Sequence, residues 1–228
     1  MPLLYIDIET IPGQAPWVRD LVASKVSPPA SMSKPETIAK WEAEQKESVI
    51  EEKWLKTSFD GALGEIVSIA WAVDDGEVKC GYRPLDGSES SLLINTLIAI
   101  SEDLTDKIGR VVAPTWIGHN LTGFDIRFIW QRCVINKVKP PLEIPINAKP
   151  WGNEVFDTMV EWSGGRRDGG VCSMSDVCLA LGFDGKGDMD GSQVWPAMKD
   201  GRHADVAEYN KQDVERTRLM YKRMRFID

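Results

Sequence analysis

The chain has 228 residues, 43% of them hydrophobic and 27% charged, a balance that suits one α/β domain with decorations and excludes global disorder. No apolar run approaches the ~20 residues that cross a bilayer, and no basic segment followed by an apolar stretch opens the chain, so neither a membrane span nor a secretory signal is expected. The net charge of −8 argues against a protein that holds nucleic acid by blanket electrostatics, though not against an enzyme that grips only a chain end through bound cations.

In chain order, residues 2–8 (PLLYIDI) are short, apolar and β-branched and read as a strand. Asp7 and Glu9, at i and i+2, then share one side of it. Gly13–Pro29 is punctuated by proline and reads as loop. Ser33-Lys34-Pro35-Glu36 has the pattern of a capping box with proline in the first turn, and the stretch to residue 56 is rich in helix formers. One or two helices over about 30–60 are expected as an insertion after the first strand. Glu65–Val73 and Glu77–Arg83, separated by Asp74-Asp75-Gly76, read as a hairpin.

A helix is expected over about Ser90–Ile108, a strand over Val111–Ile117, and a helix over Thr122–Asn136 with Thr122 as candidate cap. A short strand at Val155–Phe156, a helix over Ser173–Leu181 ending at Gly182, and a last helix over about Ala204–Met224 follow. Three strands and then alternating helices and strands imply an α/β fold: a mixed central sheet flanked by helices.

Cys80, Cys133, Cys172 and Cys178 form no pair of CxxC motifs, so they read as reduced thiols of a cytoplasmic protein rather than zinc ligands. The carboxylates are more telling. Asp213 and Tyr209, four apart on the last helix, share a face with Cβ atoms ~5–6 Å apart. Taken alone they could be a core-edge tyrosine and a solvated acid. Asp125, in the first turn of its helix after Gly118-His119-Asn120, could equally be a favourable N-terminal charge. Should Asp7, Glu9, Asp125 and Asp213 converge, their repulsion requires protons or cations, and oxygen donors without sulfur or imidazole select magnesium or manganese. Two such ions ~3.5–4 Å apart suit phosphoryl chemistry.

Asp7-Ile8-Glu9-Thr10 resembles the first exonuclease motif of the DnaQ-like (DEDD) superfamily. Gly118-His119-Asn120-Leu121-Thr122-Gly123-Phe124-Asp125 resembles the second, and Tyr209-Asn210-Lys211-Gln212-Asp213 the third in its tyrosine (DEDDy) form. Val155-Phe156-Asp157-Thr158-Met159 is similar to the segment between motifs two and three in proofreading domains. Gly191-Ser192-Gln193-Val194-Trp195, with the preceding Lys186–Asp190, resembles a signature of the predicted 3′–5′ exonucleases related to the family B DNA polymerase exonuclease domain. The resemblance covers essentially the whole chain, 1–228, as one exonuclease domain of ribonuclease H-like fold.

That resemblance implies a metal-dependent 3′–5′ exodeoxyribonuclease acting on DNA 3′ ends, single strands favoured, with two Mg2+ or Mn2+ ions. Asp7 would bridge both ions, Glu9 and Asp213 would hold one, Asp125 would support the other, and Tyr209 would orient or help deprotonate the water. Thr10, by its backbone, and Asn120 and Phe124 would contact the terminal nucleotide. A polymerase or another replication or repair protein in trans is the implied partner, in a bacterial or phage-infected cytoplasm. Three alternatives stay open: an exoribonuclease, a non-catalytic nucleic-acid-binding module on the same fold, and a haloacid dehalogenase-like phosphatase. The last wants aspartate where Glu9 stands.

Other features have plainer explanations. The nine tryptophans read mostly as packing residues, with Trp195 in the signature stretch the open case. Arg166-Arg167 reads as a solvated loop, His119 as a hydrogen-bonded loop residue, and Asp157 as a strand-end residue or a support of the site. The insertion suits a lid, a strand-guiding wall or simple packing on the sheet.

Overall fold

A computed structural model of the chain describes residues 1–149, 152–165, 172–185, 187 and 189–227. Strand β1 (Leu3–Ile11) leads into an insertion of three helices, α1 (Pro16–Ser24), α2 (Pro35–Glu44) and α3 (Lys46–Leu55), closed by a 3-10 turn at Lys56–Phe59. Strands β2 (Glu65–Val73) and β3 (Lys79–Tyr82) follow, then α4 (Glu89–Asp103), β4 (Thr115–Gly118), α5 (Asp125–Ile135), β5 (Val155–Asp157) and α6 (Thr158–Trp162). The chain continues through α7 (Met174–Ala180), α8 (Gly191–Lys199) and α9 (His203–Met224). The five strands form one mixed sheet in the order β3-β2-β1-β4-β5. β2 runs antiparallel between β1 and β3, and β4 and β5 add in parallel on the far side of β1.

The period of two along β1 sorts its side chains between two cores. Leu4, Ile6 and Ile8 pack with Ile69 and Trp71 of β2 under α4 and α5, where Leu93, Leu97 and Ile100 are fully buried. Each such aliphatic side chain contributes about 1.5–3 kcal/mol by leaving water. Tyr5 and Ile11 turn to the opposite face. Tyr5 packs with Val214 and Tyr221 of α9, and Ile11 with Val194 and Met198 of α8 and Val206 of α9. Asp7 and Glu9 lie between these two apolar patches on that face.

A β-bulge sits at this point. Glu9 faces Ser68 while Thr10 faces Ile66, so Val67 is an extra residue in β2. Val67 and Ser68 therefore both turn toward the α8–α9 side, and Ile66 returns to the α4–α5 core with Ile69. Opposite the two acids the partner residues are small, Ala70 across from Asp7 and Ser68 across from Glu9, which leaves room for α9.

The insertion has a small core of its own: Val18, Val22, Trp41, Ile50 and Trp54. Trp54 ties it to the sheet layer, its indole N–H donating to the Gly13 carbonyl at 2.9 Å and its ring meeting Trp195 of α8 edge-on at 5.4 Å. The signature stretch Gly191–Trp195 is thus the first half of a helix, opened by an Asp190–Gln193 capping box, and its tryptophan is the docking point of the insertion.

Several sequence expectations shift. Gly13–Pro29 is not all loop, because Pro16 at the first helical position presets φ and starts α1, whose Val18 and Val22 bury. The capping box at Ser33 does not form; Lys34 is the N-cap, without a side-chain bond, and Pro35 starts the helix. The helix expected to reach Ile108 ends at Asp103, and the strand expected from Val111 begins at Thr115. Thr122 does not cap α5; its N–H and hydroxyl both bond Asp157 instead. α7 is capped by Ser173, and Gly182 after it adopts φ +78°, as a C-terminal glycine should. Among the described residues no helix is long and apolar enough to cross a membrane. Arg166-Arg167 and Lys186 lie outside the described residues.

Candidate active site

Three carboxylates meet on the α9 side of the sheet. Asp7 and Glu9 project from the middle and second half of β1 and Asp213 from the middle of α9, and one oxygen from each lies within 4.8 Å of the others. Glu9 is 9% exposed and Asp213 4%. Charges at that spacing repel by roughly 3–4 kcal/mol per pair at an effective dielectric of 20, so the arrangement requires compensation. The Arg216 guanidinium, one helical turn on, donates to Asp213 Oδ1 at 2.8 Å. The Asn210 amide, fully buried, donates to Asp7 Oδ2 at 2.6 Å. Asn210 Oδ1 in turn accepts from the hydroxyl of Ser68, the residue that the bulge turns this way, at 2.8 Å.

Tyr209 hydrogen-bonds Asp213 and is 4% exposed. Burial pushes its phenol well above the ordinary tyrosine value, and the Glu9, Asp213 and Asp7 charges push it the same way. The hydroxyl is therefore a neutral donor. Beside it an open groove of about 570 Å³ between α8 and α9 is lined by Met189, Gln193, Pro196, Arg202, Glu208 and Gln212.

Asp125 comes to the same stretch of β1 from the other side. β4 accompanies β1 only through Tyr5, so beyond that point β1 has no strand partner on this edge among the described residues. The Asp125 side chain, at the start of α5, fills the gap and accepts the Ile8 N–H at 3.1 Å, between Asp7 and Glu9 in the chain. It is 3% exposed, and burial raises its carboxyl pKa far above the usual carboxylate range. Asp125 thus borders the cluster of three rather than sharing its 4.8 Å spacing.

The loop that delivers Asp125 is organised by one carboxylate. Asp157 accepts the Asn120 N–H at 2.9 Å, the Thr122 N–H at 2.9 Å, the Thr122 hydroxyl at 2.8 Å and the Met159 N–H at 3.1 Å. Asn120 takes φ +61°, a left-handed conformation that asparagine tolerates better than most residues. His119 bridges the Thr158 hydroxyl and the Cys172 carbonyl, the loop role expected of it. Thr10 pairs with Ile66 in the ladder, and its hydroxyl donates to the Ser58 carbonyl at 2.7 Å. Phe124, half-buried, meets Phe128 at 5.3 Å and Phe59 at 6.5 Å.

Asn210, Ser68 and Arg216 were not singled out from sequence. The helical spacing that pairs Tyr209 with Asp213 also places Asn210 and Arg216 one turn either side of Asp213. That signal could have found both residues; Ser68 depends on the bulge. Oxygen donors alone form the cluster. Among the described residues no other group of three or more acidic, histidine or cysteine side chains converges in this way, and the four cysteines are free.

Residues 61–228 match the model of a family described as "Predicted 3'-5' exonuclease related to the exonuclease domain of PolB". The matched region contains Asp125, Tyr209 and Asp213, and β1 with Asp7 and Glu9 precedes it. No curated protein matches the chain. Among solved structures it is similar to the family B DNA polymerase from the hyperthermophilic archaeon Pyrobaculum calidifontis, with a TM-score of 0.56 at 15% identity. The likeness covers 98% of this chain and 24% of the polymerase chain. It is a likeness of fold, and it bears out the ribonuclease H-like arrangement expected from sequence.

Proposed function

Because the chain belongs to the predicted 3′–5′ exonucleases related to the PolB exonuclease domain, we propose that it removes nucleoside monophosphates from the 3′ end of single-stranded DNA. Asp7, Glu9, Asp125 and Asp213 are its carboxylate set, of the DEDDy type. The observation that carries this reading is the meeting of Asp7, Glu9 and Asp213 within 4.8 Å in a setting that favours cations. A donor set of carboxylate oxygens fits magnesium or manganese better than zinc. Asp7, Glu9 and Asp213 would hold one ion and Asp7 with Asp125 a second. Bound there, a pair of divalent ions supplies charge stabilisation for phosphoryl transfer.

The remaining chemistry belongs to the chain. Asn210 and Arg216 fix the orientations of Asp7 and Asp213. Tyr209, neutral and bonded to Asp213, orients the attacking water rather than taking its proton. Thr10, Asn120 and Phe124 receive the terminal nucleotide. The whole chain, insertion included, acts as one exonuclease domain, with Trp54 against Trp195 holding its parts together. A polymerase or another replication or repair protein working on the same 3′ end is its natural partner.

The test is degradation of 5′-labelled DNA and RNA, single- and double-stranded, with magnesium, manganese or chelator. The expected result is a ladder that shortens from the 3′ end, fastest on single-stranded DNA and absent in chelator. Cleavage confined to internal positions, or undiminished in chelator, would overturn the reading. Tyr209→Phe is expected to keep the KM and lose about a hundredfold or less in kcat, no more than the bottom of the range for a group that transfers a proton, because the phenol only positions the water. A loss as deep as that of a carboxylate variant would give the phenol a larger role than positioning.

A further inference from the structure

We propose that Phe59, on the closing turn of the insertion, is a stacking platform for an unpaired base entering the site. The inference rests on the nuclease reading of the acidic cluster, which supplies the substrate.

Phe59 is 67% exposed, and its ring contact is with Phe124, at 6.5 Å. It is nevertheless held in position. The preceding residue, Ser58, accepts the Thr10 hydroxyl through its carbonyl at 2.7 Å, and Thr10 directly follows Glu9 of the acidic cluster. The buried Thr57 hydroxyl donates to the Trp54 carbonyl at 2.7 Å and accepts the Gly13 N–H at 3.1 Å. The turn closes with Asp60 N–H on the Thr57 carbonyl at 3.0 Å. A fixed turn beside the strand end thus presents an exposed ring.

That ring is also the outer rung of an aromatic ladder. Phe128 is buried in the core, Phe124 lies 5.3 Å from it, and Phe59 lies 6.5 Å from Phe124, tilted by 58°. Phe124 immediately precedes Asp125, and Phe59 follows Ser58, whose carbonyl holds Thr10 next to Glu9, so both outer rungs sit on segments that adjoin the acid-bearing ones in the chain or by hydrogen bond. An aromatic face presented this way accepts any base, because every base has a π-face. Little ordering is needed on binding, since the ring is already placed. A base held in a duplex would first have to leave its stack, at a cost of a few kcal/mol. The insertion is therefore a wall that selects unpaired ends.

The test compares wild type, Phe59→Ala and Phe59→Trp on single-stranded DNA, and on the same strand ending in an abasic nucleotide. Phe59→Ala is expected to raise the KM for the normal strand about tenfold, within the range for one base–aromatic stack, and Phe59→Trp to restore it. On the abasic end the difference between wild type and Phe59→Ala should collapse. Binding of a strand with 3′-terminal 2-aminopurine, followed by fluorescence quenching in calcium, should weaken to match in Phe59→Ala. Equal KM and equal quenching in wild type and Phe59→Ala, or a tenfold difference that persists on the abasic end, would overturn the proposal. The binding measurement reads Phe59 whether or not the wild type cleaves, so failure of the nuclease reading and failure of this inference are separate results.

Discussion

Asp7→Asn is expected to lower the rate of 3′-end hydrolysis by at least about a thousandfold without unfolding the protein. Asp7 is the carboxylate proposed to serve both ions, so its loss removes several kcal/mol of charge stabilisation, and about 4 kcal/mol corresponds to that factor. The substitution is conservative toward the fold. Asn at position 7 keeps an oxygen to accept the Asn210 amide that bonds Asp7 at 2.6 Å. It also removes one of three charges that lie within 4.8 Å of one another. In chelator the variant should therefore melt at the same temperature as the wild type or above it. Manganese should raise the melting temperature of the wild type by binding the native state and should leave Asp7→Asn nearly unmoved. A variant that keeps a tenth of wild-type activity, or one that manganese stabilises as much as the wild type, would remove Asp7 from the centre of the site.

Glu89→Ala should be the most damaging single change for stability outside the site, at about 3–5 kcal/mol. Glu89 and Arg132 are each 8% exposed. Glu89 takes two contacts from the Arg132 Nε–H, at 2.9 and 3.1 Å, and one from Nη2 at 2.6 Å. It also accepts the Ile66 N–H at 2.7 Å and the Asn136 amide at 2.8 Å, while Arg132 donates onward to the Gly61 carbonyl at 3.3 Å. The Glu89–Arg132 pair thus joins the start of α4, the end of α5, the start of β2 and the segment that leaves the insertion. Removing it strands a buried guanidinium. For a chain of this size the melting temperature should fall by about 10 °C. The double variant Glu89→Ala/Arg132→Met should lose less than Glu89→Ala alone, because no charge is left unpaired. A loss below about 1 kcal/mol in urea unfolding would show that water reaches the pair.

Local rules read much of this protein correctly. The strand period placed Asp7 and Glu9 on one face, and helical spacing put Tyr209 beside Asp213. The three-strand opening, the hairpin at Asp74–Gly76 and the helix ending at Gly182 also appear as expected. The failures share a cause. Thr122 looked like a cap, but the distant Asp157 carboxylate took both its donors. Gly13–Pro29 looked like loop, but Val18 and Val22 found a core among helices of the same insertion.

Composition, periodicity and the order of the motifs by themselves determined the class of fold and the acids worth suspecting. These are properties of residue type and short spacing, which the backbone's fixed geometry converts directly into faces and ends. The tertiary structure alone decided which of those groups meet. Asn210 bonds Asp7 across 203 positions of chain, a bulge in β2 turns Ser68 toward Asn210, and Asp125 fills the edge that β4 leaves open. Such contacts depend on how a whole sheet and its helices pack, a sum over many weak terms that no local pattern encodes.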